Sequence, residues 1–145
     1  MSIKRATVLG LAILGLGGCA PTTTPGSPSS PPTSLSSPAV VVLDERANHS
    51  TVSVGLGATI RIDLHSTYWS GVTSSAAQSV QQTGTPSSSP SASCRPGGGC
   101  GTVSTTFTTR ATGATDLTSQ RTSCGEAKPC APDQQTYTVT IQVTG

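Results

Sequence analysis

The last ten residues read "TYTVTIQVTG", and their alternation limits the fold more than anything else in the chain. Tyr137, Val139, Ile141 and Val143 fall on one side of an extended backbone, and Thr138, Thr140, Gln142 and Thr144 on the other. A period of two belongs to a strand with one face buried, and β-branched side chains suit that pleated surface. The same beat recurs upstream. Ile60, Ile62 and Leu64 alternate with Thr59, Arg61 and Asp63, and Val52 and Val54 with Ser53 and Gly55. Val103, Thr105 and Phe107 repeat it, Leu117 lies within a weaker run, and Val40 to Leu43 is a short apolar run. The segment Ser74 to Ser93 reads mostly as loop, with one short strand around Ser79 to Gln82. No stretch has helical periodicity. Strands at this spacing, broken by Gly and Asn, predict an all-β domain, a β-sandwich of about seven strands.

Composition narrows this further. Aromatic residues are 3% of the chain, so the core is built from Val, Ile, Leu and Thr rather than large rings. A net charge of +2, with 10% of residues charged, leaves no basic footprint for nucleic acid. A length of 145 residues holds one domain and some tethering sequence.

The tether is expected at the front. "MSIKRATVLGLAILGLGGCA" opens with Lys4 and Arg5 and continues with an apolar run from Ala6 to Leu16. That run is short for a membrane span, which needs about 20 apolar residues, and has the design of a secretory signal. Its end, Leu16-Gly17-Gly18-Cys19, resembles the lipobox of bacterial lipoproteins. The resemblance implies cleavage ahead of Cys19 and lipidation of its thiol; a plain secretory signal with an incidental Cys19 is the alternative. Each buried acyl CH₂ contributes about 0.8 kcal/mol, so several chains on one residue anchor firmly to a membrane. Ala20 to Pro38 is almost wholly Pro, Ser, Thr and Gly, a composition that cannot offset the entropy of ordering and reads as an extended stalk. The expected organisation is therefore a signal peptide over 1–18, a lipidated cysteine and linker over 19–38, and a folded domain over 39–145. The domain is expected to be exported and to face away from the cytoplasm.

Four cysteines remain after Cys19. Cys94 and Cys100 bracket "RPGGG", and Cys124 and Cys130 bracket "GEAKP". An even count in an exported chain points to disulfides, and zinc sites usually use tighter knuckles. Three connectivities are open. Pairing within each stretch closes a short Gly/Pro loop and is the expected one; a crossed pairing between two loops at one end of the sandwich is the alternative. Either would stiffen the domain by about 2–4 kcal/mol per bridge.

The order of these features resembles the chagasin-type inhibitors of papain-like cysteine peptidases, which adopt an immunoglobulin-like sandwich. "VVLDERANHSTVSVGLGATIRIDL" resembles that family's opening, "GGGCGTVSTTFTTRATGATDLT" its glycine-rich second loop and the strand that follows, and "TYTVTIQVTG" its closing strand. The similarity runs over most of Val40 to Gly145, mainly as strand pattern. The family's first loop, Asn-Pro-Thr-Thr-Gly, is met by His65-Ser66-Thr67-Tyr68-Trp69-Ser70-Gly71. Its second, Gly-x-Gly-Gly, is approximated by Gly97-Gly98-Gly99-Cys100-Gly101, and of its third, Arg-Pro-Trp, only Arg121 carries over. The resemblance implies an immunoglobulin-like sandwich whose end loops bind a protein, with a papain-like cysteine peptidase as the partner. The implied contact residues are His65, Thr67, Tyr68, Trp69, Gly98, Gly99 and Arg121.

Tyr68 and Trp69 carry two readings. Either Trp69 folds back to plug the sandwich end, or the pair presents an aromatic anchor, since Trp and Tyr dominate interface hot spots. His65 is a locally bonded strand-end residue or a ligand; Arg121 and Glu126 form a charged rim or plain surface. No Gly-x-Ser-x-Gly elbow or phosphate loop is present, and His49 and His65 make a poor metal centre. No enzyme activity, metal or cofactor is expected. Two functions follow: a membrane-tethered protein-binding domain with inhibitory loops, or a structural or accessory envelope lipoprotein without them.

Overall fold

In the computed structural model the described residues are 39–125 and 128–145, so the expected signal peptide, Cys19, the linker and Glu126 lie outside them. The strongest alternations become the central strands. Strand β3, Thr59–His65, buries Ile60, Ile62 and Leu64 completely. Full burial of one such side chain stabilises the fold by about 1.5–3 kcal/mol. The order of the remaining strands is β1 (Val40–Leu43), β2 (Thr51–Gly55), then after β3, β4 (Thr73–Ser74), β5 (Val80–Gln82) and β6 (Ser87–Pro90). Next come β7 (Gly101–Thr109), β8 (Gly113–Gln120), β9 (Ser123–Gly125), β10 (Lys128–Pro129) and β11 (Thr136–Thr144).

Two sheets form the sandwich. One runs β1-β3-β7-β5, with β6 also on β7; the other runs β2-β11-β8-β4. Ile60 lies opposite Phe107 and Leu64 opposite Val103 in the first sheet; Val139 lies opposite Leu117 and Tyr137 opposite Ser119 in the second. The inward side chains of β3, β7, β8 and β11 meet with Trp69, Val72 and Val80 in one core. Among the described residues every buried core side chain lies between Val54 and Val143, so the fragment from Ala39 contains that whole core.

The first two strands belong to different sheets. β1 runs parallel to β3, with Val40 beside Thr59 and Leu43 beside Ile62, and β2 runs parallel to β11. The chain changes sheets through a single 3-10 turn, Glu45–Ala47, where the Asp44 carboxylate accepts from the Arg46 backbone N–H at 2.9 Å. Asn48 fixes the crossing: its side chain donates to Thr136 O at 3.3 Å and accepts from Thr138 N at 2.8 Å.

The buried hydroxyls of Thr105 and Thr109 are satisfied locally, which keeps their burial cheap, whereas Thr115 Oγ1 and the Tyr137 hydroxyl are buried without a protein partner. Thr109 Oγ1 donates to Gly55 O at 2.8 Å and accepts from Ala58 N at 2.9 Å, and Thr105 Oγ1 accepts from Val72 N at 3.1 Å. The sandwich is all-β and immunoglobulin-like, as expected, with more strands than the seven read from the sequence. β4 and β6 add to the two sheets, and β9 and β10 form a separate antiparallel ribbon. All four are short and polar. β6, "SSSP", has every residue exposed and is held only by backbone pairing to β7, from Ser87 on Ser104 to Pro90 on Gly101. Such a strand leaves no apolar period to read.

Candidate interaction surface

Three connections reach the same end of the sandwich, and each is tied to another. The first follows β3 and spans Ser66 to Val72. Its Thr67 N–H donates to Gly99 O at 2.8 Å, and the Tyr68 hydroxyl donates to Gly97 O, so it grips the second connection at two points. Its other flank is tied to β8: Ser70 N donates to Gln120 O at 2.8 Å, and Ser119 Oγ donates to Ser70 O at 2.8 Å.

The second connection joins β6 to β7 and is closed by a Cys94–Cys100 disulfide with a Cα–Cα distance of 5.6 Å. Gly99 has φ +66°, and a Cβ there would land inside the Tyr68 ring. A side chain at this position is therefore excluded twice, by backbone conformation and by contact. The third connection contains the β9–β10 ribbon and the Cys124–Cys130 disulfide, with a Cα–Cα distance of 4.8 Å. Both bridges lie within their own loops, which excludes the crossed pairing.

Trp69 takes the inner position. It is 6% exposed and packs with the core, while the Arg121 guanidinium lies over its ring at 4.3 Å. Arg121 is held there by its Nε, which donates to Gln134 O at 3.0 Å, and by its backbone N–H on Gln135 O at 2.9 Å. The cation–π contact contributes about 0.5–1 kcal/mol at such a site. Of the two aromatic readings, the plug holds for Trp69. Tyr68, by contrast, lines the groove described below.

The three connections together enclose a groove of about 430 Å³. His65, Ser66 and Tyr68 line it from the first, the stretch from Gly98 to Gly101 from the second, and Arg121 and Cys124 from the third. Thr67 contributes through its backbone bond to Gly99. His65 is exposed, and its Nδ1 lies 2.8 Å from Glu45 Oε2, while its backbone N–H donates to the other Glu45 oxygen. The hydrogen bond and the negative charge of Glu45 raise the imidazole pKa above its ordinary value of 6.5. Sequence reasoning did not single out Ser66 or Glu45, and it read Cys100 and Cys124 as staples rather than as surface. No local signal marks them: Glu45 reaches His65 across 20 residues only because β1 pairs with β3.

Two comparisons, with family models and with curated proteins, return no match. Among solved structures, the cysteine protease inhibitor EhICP2 from Entamoeba histolytica matches with a TM-score of 0.52 at 12% identity, over 73% of this chain and 96% of that one. The solution structure of amebosin matches at 0.44 with 19% identity, over 74% and 100%. PbICP-C, solved in complex with falcipain-2, matches at 0.40 with 15% identity, over 74% and 89%. The first of these shares its fold with the present domain, the immunoglobulin-like sandwich that the resemblance implied.

Proposed function

We propose that the domain is a protein-binding module of the cysteine-peptidase-inhibitor kind, whose three-loop end engages the active-site region of a papain-like peptidase. The observation that carries this is the groove itself. Connections that start near residues 65, 91 and 121 converge on one surface and lock to each other through Thr67, Tyr68 and Arg121. A surface ordered before binding loses less entropy on association. The fold shared with a cysteine protease inhibitor supports the partner class. We place the module on a membrane through lipid on Cys19; membrane fractionation of Cys19→Ala, which should release the chain into the soluble fraction, tests that part.

The inhibitory reading is tested by titrating the fragment from Ala39, disulfides intact, against a panel of papain-like peptidases. Inhibition that weakens by roughly tenfold or more in a folded Tyr68→Ala variant is expected, as for a central interface residue. A panel that shows no inhibition at all removes the reading. A structural envelope lipoprotein then stands in its place.

A further inference from the structure

The groove presents a disulfide. Cys100 lines it and is exposed, and its partner Cys94 is half-buried beneath the loop. Gly98 leaves the bridge uncovered: a Cβ there would lie 2.8 Å from Cys94 Sγ and 3.4 Å from Cys100 Sγ. The Cys100 backbone N–H already points at Cys94 Sγ at 3.1 Å. Arg121 borders the same groove, and Arg95 stands exposed in the same loop.

These features match the requirements of thiol–disulfide exchange, in which an attacking thiolate, an accessible sulfur and a stabilised leaving thiolate set the rate. We infer that Cys100 Sγ is an acceptor for the active-site thiolate of the bound peptidase, so that capture becomes covalent. This rests on the reading of the groove as a peptidase site. The incoming thiolate forms a bond to Cys100 Sγ, the Cys94–Cys100 bond breaks, and its electron pair leaves on Cys94 Sγ. The Cys94 thiolate, held by the Cys100 N–H, then takes a proton from solvent. One disulfide is exchanged for another with no net oxidation, and no further reactant is required. The Cys100 N–H aimed at Cys94 Sγ stabilises the leaving thiolate, and a better-stabilised leaving group speeds exchange. The guanidinium groups favour the approaching anion. Cys124 also borders the groove, but its bond leads to Cys130, which is 5% exposed, so attack there would strand a thiolate in a buried position.

The test mixes the oxidised fragment from Ala39 with a papain-like peptidase that has been activated and then freed of reductant. Samples are quenched in acid and weighed intact under non-reducing conditions. A species with the summed mass of both chains is expected, released by dithiothreitol, with the single new thiol mapped by alkylation to Cys94. Peptidase alkylated at its active-site cysteine should give none. The Cys94→Ser/Cys100→Ser variant should form no adduct, and Cys124→Ser/Cys130→Ser should still form one. The peptidase should react roughly tenfold or more faster per thiolate than glutathione, because binding pre-aligns it. Inhibition with no adduct overturns the exchange and leaves the inhibitory reading in place; neither inhibition nor adduct overturns both. Glutathione keeping pace, or the new thiol mapping to Cys130 in the unaltered fragment, also overturns it, whether or not the serine variants fold.

Discussion

The two cysteine loops have the same length and the same closing bond, yet they are built differently. Each bridge spans a sequence separation of 6. Cys94–Cys100 closes a turn of glycines on the surface, whereas Cys124–Cys130 closes around a small ribbon and has one cysteine against the core. Cys130 is tied in on both sides, its N–H to Thr122 O at 3.0 Å and its carbonyl to the Gln135 side chain at 3.0 Å. Equal loop lengths mean equal chain-entropy contributions, about 2 kcal/mol each in the loop-closure picture. Any difference in what the two bridges contribute must come from packing. The pair therefore acts as its own control.

The largest effect should come from the indole under Arg121. Trp69→Ala removes the plug that Arg121 covers and should lower stability by about 3–5 kcal/mol, read from urea unfolding. A loss below about 1 kcal/mol would mean that the third loop stands without it. Next, Cys124→Ser/Cys130→Ser should cost about 3–4 kcal/mol and Cys94→Ser/Cys100→Ser about 2 kcal/mol. Equal losses would break the distinction between a surface clasp and a packed one. Arg121→Met keeps most of the side-chain length but removes the charge over the indole, and should cost about 1 kcal/mol with a shift in Trp69 fluorescence.

The smallest effect is electrostatic and lies at the edge of the groove. Because the folded pKa of His65 is raised, its pairing with Glu45 stabilises the fold fully below about pH 6.5, the unfolded value, and fades as pH rises through the folded value. The pair is exposed, so the contribution stays below about 1 kcal/mol. An NMR titration of the imidazole should show a midpoint above that of His65 in Glu45→Gln; identical midpoints would remove the pair.

The sandwich was legible in the sequence wherever burial and strand period coincide. β3 and β11 announce themselves because one face of each is wholly apolar, and Phe107 and Leu117 fall on the same beat. β6 and the ribbon were not legible, because they are short, polar and paired through the backbone, which leaves no apolar period. The groove was half legible. His65, Tyr68, the glycines and Arg121 follow from the resemblance to the chagasin-type loops, and the bridges from the cysteine spacing. Trp69 divides from Tyr68 for a reason that no string of letters carries: both lie in the turn after β3, closed by Trp69 N–H on Ser66 O, and only the tertiary fold says which ring is inward.

The parallel pairing of β1 with β3 has a consequence for presentation. β3 runs toward the groove and ends there at His65; β1 begins beside Thr59, at the far end of the same seven-residue strand. At about 3.3 Å per residue, that strand separates the start of the domain from the groove by roughly 20 Å. Within the domain, the start of β1 and the groove therefore lie at opposite ends.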